Sequence, residues 1–181
     1  ILGIDPGTAV MGYGIILEQG TRCTLVQAGA IHFPKGDDHT LKLKAIFAST
    51  EALIAEHKPD ELAIEAQFFG KNVQSMLKLG RAQGVAIAAA LQRDIGVVEY
   101  APKRVKQSIT GNGNATKEQV AAMLLSILRV TELPSSTDAT DAIAVAVCHH
   151  FSNRGLGARS TGKRSGGGWS SFVRNNPDRV G

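Results

Sequence analysis

Four carboxylates stand at positions from which a single site could be built. Asp5 and Glu65 each end a short apolar run, LGID and ELAIE, while Asp138 and Asp141 lie three residues apart on a predicted helix and therefore point to one face of it. Like charges that meet in a protein need protonation, basic partners or a cation, and Mg²⁺ prefers oxygen ligands. Two such ions can activate a water and stabilise the leaving oxygen of a phosphodiester. The acids therefore predict hydrolysis of a nucleic-acid backbone with two Mg²⁺ ions in the site, and with Mn²⁺ as the expected substitute.

Each acid also has an ordinary explanation. Asp5 precedes Pro6-Gly7, where an aspartate often bonds to its own backbone, and Glu65 alone could be an exposed acid at a strand end. Asp138 and Asp141 follow a Ser-Ser-Thr segment in the first turn of their helix, where capping and the helix dipole favour acids. The conjunction of two strand-ending acids with a same-face pair favours one joint site.

A loop with two aromatic rings and a base follows Glu65 directly. Phe68 and Phe69 could stack on an unpaired base and Lys71 could meet a phosphate, although either ring could instead fold into the core. Lys117 follows a glycine- and asparagine-rich loop at a predicted helix start, which suits a phosphate contact. The other basic residues that could contact DNA, or form a solvated face, are Lys103, Arg104 and Lys106.

The distribution of charge separates a basic band from an almost neutral body. Residues 1–151 carry 14 basic and 15 acidic side chains, whereas residues 71–117 hold eight basic and two acidic ones. Such a band beside the acids suits the binding of phosphates around a metal site. From residue 152 the chain has six basic residues and one acidic residue in a Gly/Ser-rich context.

The pattern of apolar segments predicts an α/β fold. Strands are predicted at residues 1–5, 10–17, 24–33, 61–65 and 96–100, and helices at 41–57, 72–93, 117–128 and 138–150, with a further helix beginning near Pro102. Short turns make the first three strands antiparallel, and right-handed crossovers make the last two parallel to the first. We expect a five-stranded mixed sheet with strand one at its centre, helices on both faces, and Asp5 facing Glu65 across adjacent strand ends.

The 181 residues suit one domain, which we place at residues 1–151, followed by a flexible basic C-terminal tail at residues 152–181. No apolar run reaches membrane-spanning length and no signal peptide is visible. Cys23 and Cys148 lack paired spacing, which favours a reducing compartment, and we therefore expect a cytoplasmic protein. The adjacent His149 and His150 do not have zinc-ligand spacing.

Four segments, in their order and spacing, closely resemble the RuvC family of crossover junction endodeoxyribonucleases. They are LGIDPGTAVMGYG, LAIEAQFFGKN, VKQSITGNGNATKEQV and DATDAIAVAVCHH, and the match runs from Ile1 to about His150. The resemblance implies a ribonuclease H-like fold and magnesium-dependent paired nicking of Holliday junctions in DNA recombination and repair. It further implies a homodimer that works with the branch-migration proteins RuvA and RuvB.

The resemblance also implies roles for particular residues. The metal-binding carboxylates of the family match the four acids Asp5, Glu65, Asp138 and Asp141. The base-stacking phenylalanine matches Phe68, and the DNA-contacting lysines match Lys106 and Lys117. We expect the long helix at 72–93, with its notch of Gly80 and Gly84, to form the dimer interface.

Three other functions stay open at this level. One is an ATPase-like nucleotide-binding domain of the actin and sugar-kinase type, because Asp5-Pro6-Gly7-Thr8 fits its D-x-G-T motif, although the chain has room for only one of the two domains that such a protein needs. Another is a different ribonuclease H-like nuclease that acts on RNA or hybrids. The last is a catalytically silent junction-binding module, against which the presence of all four acids argues.

Overall fold

A computed structural model describes residues 1–67 and 72–157, with side chains through Asn153. Its strands are β1 (Leu2–Asp5), β2 (Val10–Gln19), β3 (Arg22–His32), β4 (Glu61–Glu65) and β5 (Gly96–Tyr100). Its helices are α1 (His39–His57), α2 (Val73–Leu91), α3 (Pro102–Thr110), α4 (Lys117–Leu128) and α5 (Thr137–Gly157). In this part of the chain, no helix is long and apolar enough to cross a membrane.

The strands form one mixed sheet in the order β3-β2-β1-β4-β5. The pairs β1–β2 and β2–β3 are antiparallel, and the pairs β1–β4 and β4–β5 are parallel. This confirms the predicted topology with the first strand at the centre. Ile4 pairs with Ile64, so Asp5 and Glu65 come next at the same end of two neighbouring parallel strands.

Alternating side chains of the sheet pack against two helical layers. Ile4 and Ile64 belong to a buried cluster with Ile46 of α1 and Ala86 of α2. On the opposite face, Ala63 belongs to a cluster that includes residues of the other three helices. These are Val105 of α3, Val120 of α4 and Ile143 of α5. The predicted arrangement with helices on both faces is therefore confirmed.

Two element boundaries differ from the sequence prediction in ways that matter for the chain's organisation. Helix α5 continues to Gly157 instead of ending at His150, because the segment FSNR that follows contains no helix-breaking residue and the helix also accommodates Gly155. The hairpin of β2 and β3 also extends to Gln19 and Arg22, closing at Gly20, whose positive φ of 63° suits a glycine turn. The division of the chain at residues 151 and 152 stays a prediction.

Three glycines on one face of β1 and β2 allow the main chain of α5 to lie directly on the sheet. A Cβ atom at Gly3 would lie 2.2 Å from the Ala142 carbonyl oxygen, and one at Gly12 would lie 2.0 Å from the Asp138 carbonyl oxygen. A Cβ at Gly14 would lie 2.9 Å from the Cα of Ile143. The neighbouring atoms are largely backbone, so a larger residue requires the helix to move.

The Gly12→Ala substitution tests this close contact. We expect it to lower the free energy of unfolding by about 1–3 kcal/mol, because the added methyl group meets the main chain of α5 at Asp138. The control is Gly96→Ala at the start of β5, where an added Cβ meets nothing within 4 Å, and it should change stability by less than about 0.5 kcal/mol. Urea unfolding of the two variants measures the difference, and equal stabilities would contradict the packing argument.

Candidate active site

Asp5 is brought to α5 by the pairing of β1 with β2. It ends β1 opposite Gly12 in the antiparallel register, and Gly12 is the residue on which the main chain of Asp138 rests. The acid is partly buried, and the turn at Pro6-Gly7 carries the chain away from the sheet immediately after it. Asp5 therefore lies beside the first turn of α5.

Glu65 ends β4 and is held by its neighbour β5. It is opposite Tyr100 in the parallel register, and the N–H of Ala66 donates to the Tyr100 carbonyl oxygen at 2.9 Å. Its carboxylate is partly buried. Because the strand ends at Glu65, the side chain stands at the carboxyl edge of the sheet, where ligands of α/β folds commonly bind.

Asp138 and Asp141 lie in the first turns of α5. The hydroxyl of Ser136 accepts a hydrogen bond from the Ala139 N–H at 3.4 Å, which is the contact of an N-cap residue. The same hydroxyl donates to Asp138 at 3.5 Å. Because Ser136 supplies the cap, capping does not account for Asp141, whose carboxylate instead accepts from Lys117 at 2.5 Å.

Two of the four acids, Asp5 and Glu65, are affected electrostatically by their acidic neighbours. Burial raises the pKa of Asp5 to about 6, with further contributions from the negative charges of Asp141 and Asp138. Burial likewise raises the pKa of Glu65 to about 7, with contributions from Asp5 and Asp141. Lys117 opposes both increases. The acids predicted from separate motifs thus share one electrostatic neighbourhood.

Lys117 is held at the site by the start of α4. A capping box fixes this helix end, because Thr116 accepts from the Gln119 N–H and the Gln119 side chain accepts from the Thr116 N–H. The hydrogen bond with Asp141 raises the pKa of the Lys117 ammonium, although the lysine side chain is 60% exposed. The residue predicted as a phosphate contact is therefore also a partner of a predicted metal ligand.

A cleft of about 220 Å³ opens beside these residues. Its polar lining is Glu65, Lys106, Lys117 and Asp141, and its apolar wall is Pro102, Val105, Val120 and Ala144. Helix α3 thus contributes Lys106 to the lining of the cleft, and its contact with DNA stays a prediction. Lys103 and Arg104 on the same helix are exposed and lie outside the lining of the cleft. The predicted contacts Phe68, Phe69 and Lys71 lie outside the described residues.

The donor chemistry of the site suits a hard divalent cation. The pKa of two of its carboxylates is raised partly by neighbouring negative charge, and a cation would relieve that repulsion. Within residues 1–67 and 72–157, however, no three His, Cys, Asp or Glu side chains are placed to hold a metal ion as a group. The assignment of Asp5, Glu65, Asp138 and Asp141 as ligands therefore stays a prediction.

Sequence reasoning assigned no structural role to two polar residues that the structure places in buried contacts. Gln83 of α2 is 8% exposed and its amide nitrogen donates to the Glu65 carbonyl oxygen at 3.3 Å. The available signal was a polar residue within the alanine-rich buried face of a helix. His149 is also buried, where it bonds to Tyr100 and Glu61 at 2.8 Å each, and so joins α5 to β5 and β4.

A mixed sheet of this order, with acids at the ends of β1 and β4 and on the helix packed against them, defines a ribonuclease H-like nuclease. The family model described as crossover junction endodeoxyribonuclease RuvC matches residues 1–149. The chain belongs to the RuvC family of crossover junction endodeoxyribonucleases. This family is one of metal-dependent nucleases, and membership excludes the ATPase-like alternative.

Individual relatives agree along nearly the whole chain. A curated crossover junction endodeoxyribonuclease RuvC from Cytophaga hutchinsonii is 59% identical over 180 residues, which cover 99% of this chain and 87% of the relative. The corresponding protein from Porphyromonas gingivalis is 57% identical over 183 residues, covering 99% and 96%. The solved structure of Thermus thermophilus RuvC in complex with a Holliday junction substrate has a TM-score of 0.80 and 30% identity, covering 86% of this chain and 94% of that one. The predicted enzyme class is thus confirmed.

The raised pKa of Glu65 predicts that this acid destabilises the metal-free protein at neutral pH. The pKa of about 7 in the folded chain exceeds the ordinary 4.5, so the folded state holds more protons than the unfolded one between these values. Stability should therefore fall as the pH rises through this window. In a chelator at about pH 8, the free energy of unfolding of Glu65→Gln, measured with urea, should exceed that of the wild type by about 1–2 kcal/mol. Near pH 4 this difference should disappear, because the wild-type acid is then largely protonated in both states.

The control for this experiment is Glu132→Gln, which removes an exposed acid. It should leave the stability difference between the two pH values unchanged. Equal stability of the wild type and Glu65→Gln at both pH values would contradict the proposed burial and repulsion at Glu65.

Proposed function

We propose that this chain resolves four-way DNA junctions by nicking two opposed strands through metal-dependent hydrolysis. The observation that carries the proposal is the placement of Asp5 and Glu65 at the carboxyl ends of two paired strands, where the negative charge of Asp141 on α5 helps to raise the pKa of both. A relative of closely similar fold has been solved with a Holliday junction, which supports the choice of substrate. The activity serves DNA recombination and repair, and its expected location is the cytoplasm.

The four acids have the role of cation ligands in this proposal. Two Mg²⁺ ions, or Mn²⁺ in their place, would supply an activated water and offset the charge on the leaving oxygen. Lys117 donates a hydrogen bond to the carboxylate of Asp141 and partly opposes the rise in the pKa of Asp5 and Glu65, which favours their ionised forms. The lysine thus prepares the acids for cation binding and adds a positive charge of its own.

The basic side chains of the cleft bind the DNA backbone in this proposal. Lys106 and Lys117 line the cleft from α3 and α4 together with Glu65 and Asp141, so both lysines are available to a phosphate that enters the cleft. Lys103 and Arg104 continue the positive surface along α3. From the sequence, Phe68 stacks on an unpaired base, and Phe69 and Lys71 add contacts on the same loop.

A homodimer supplies the two active sites that paired nicking requires. Helix α2 exposes Val73, Leu77 and Leu91, and the space next to Gly80 and Gly84 is open, so another helix could approach closely. This helix covers the face of the sheet opposite α3, α4 and α5. We assign the dimer contact to α2. RuvA and RuvB are the proposed partners that present the junction to the dimer.

The substitution Asp141→Asn tests the catalytic assignment. It keeps the shape of the side chain but removes the charge that Lys117 and the cations share, so cleavage of a synthetic four-way junction in Mg²⁺ should fall by at least about 100-fold. Junction binding in a chelator should stay within about twofold of the wild type, because the phosphate contacts come from the basic side chains.

The matched control is Asp94→Asn, which changes an exposed aspartate in a left-handed backbone conformation that asparagine also adopts readily. This variant should cut at the wild-type rate. Linear duplex and RNA–DNA hybrid are added as competitors, to test whether the enzyme selects the four-way junction. Undiminished cutting by Asp141→Asn would rule out the assigned site.

The substitution Leu77→Glu tests the dimer contact. Leu77 is 52% exposed on α2, and a buried charge at a helix contact is costly, so the variant should sediment as a monomer and lose coordinated nicking. The control Met123→Glu changes a residue of similar exposure on α4, across the sheet, and should stay dimeric. Dimeric Leu77→Glu in sedimentation velocity would exclude α2 as the interface.

A further inference from the structure

The peptide group between Glu65 and Ala66 is held from two directions. Its N–H donates to the Tyr100 carbonyl oxygen of β5 at 2.9 Å. Its carbonyl oxygen accepts from the amide nitrogen of Gln83 on α2 at 3.3 Å. The same Gln83 nitrogen donates its other hydrogen to the Glu99 carboxylate at 2.7 Å, so both hydrogens of the amide are used.

The carbonyl of Glu65 needs a donor from outside the sheet because of Pro6. The C=O and N–H of a trans peptide point in opposite directions, so this carbonyl points away from β5 and toward β1. On β1 the carbonyl of Ile1 accepts from Ile16 of β2, and since successive residues alternate, the even-numbered residues face β4. The next even-numbered residue after Ile4 is Pro6, which has no N–H to donate.

We propose that Gln83 is a positioning residue of the active site, replacing the hydrogen bond that Pro6 cannot supply and thereby fixing the Glu65–Ala66 peptide. The peptide sets the direction in which the Glu65 side chain leaves β4. Gln83 approaches from the α1 and α2 face, where it is almost fully buried, and so it does not compete with the substrate in the cleft. The inference rests on the proposed catalytic role of Glu65.

The arrangement follows from the turn that exposes Asp5. Proline after Asp5 ends the ladder between β1 and β4, which frees the edge of the sheet for a ligand but leaves one carbonyl without its partner. A buried carbonyl without a donor is costly. Gln83 donates a hydrogen bond to this carbonyl and leaves the edge of the sheet open to a ligand. Glu99 accepts from the same amide nitrogen and so orients it.

The test substitution is Gln83→Met, which keeps an unbranched side chain of similar length and removes both donors. Hydrogen exchange of the Ala66 amide should accelerate by about tenfold, while the Ile64 amide within β4 keeps its protection. The single-turnover cleavage rate should fall by about tenfold with the junction Kd unchanged within about twofold, because positioning acts on the reaction rather than on binding. The matched control is Gln92→Met at the exposed end of the same helix.

A rescue experiment distinguishes positioning from loss of core packing. Pro6→Ala restores a main-chain N–H opposite the Glu65 carbonyl, so in the Gln83→Met background it should recover part of the Ala66 protection and of the cleavage rate. Absence of rescue, or unchanged Ala66 exchange in Gln83→Met, would overturn the inference. The catalytic assignment is tested separately. Normal cleavage by Asp141→Asn would contradict the assigned site, whereas exchange of the Ala66 amide would still show whether Gln83 fixes the peptide.

Discussion

The contact of α5 with the glycine face of β1 and β2 is the constraint on which the site depends. With no side chain at Gly3, Gly12 and Gly14, the helix main chain lies where Cβ atoms would otherwise stand. Because Gly12 is also the register partner of Asp5, the same contact brings the first turn of α5 to the end of β1. The glycines thus place two acids of a helix beside an acid of a strand that is distant in sequence. Close packing of α5 and formation of the site are consequences of one arrangement.

Bringing these acids together opposes stability, and the rest of the site limits the cost. Burial and mutual repulsion raise the pKa of Asp5 and Glu65, while Lys117 acts in the opposite direction on both. The capping box at Thr116 fixes the start of α4, and from there Lys117 donates a hydrogen bond to Asp141 of α5. The predicted metal site is therefore stabilised in part by a side-chain ammonium group. A metal-binding role alone would account for the acids but not for a basic residue among them. The charge balance explains why Lys117 is there.

The sequence allowed prediction of the sheet order, both helical layers and the neighbourhood of the four acids, because strand-ending acids and right-handed crossovers restrict the topology strongly. It did not reveal why α5 can approach the sheet, since Gly12 and Gly14 read equally well as residues of a hairpin. The ion pair of Lys117 with Asp141 also escaped prediction, because it depends on the spatial relation of two helices whose separation in sequence carries no periodic signal. The end of α5 was missed because the change to a Gly/Ser-rich composition from residue 152 suggested that the helix had already ended.

Pro6 connects these observations. It ends β1 directly after Asp5, and because it has no N–H, it stops the hydrogen-bonded ladder at the point where Glu65 ends β4. The two acids are therefore left at an open edge of the sheet, where α5 on one face can add Asp138 and Asp141. On the other face, α2 supplies Gln83 to the carbonyl that the proline leaves without a partner. One buried amide thus joins α2 to the main chain at the end of β4, directly beside the acid at the sheet edge.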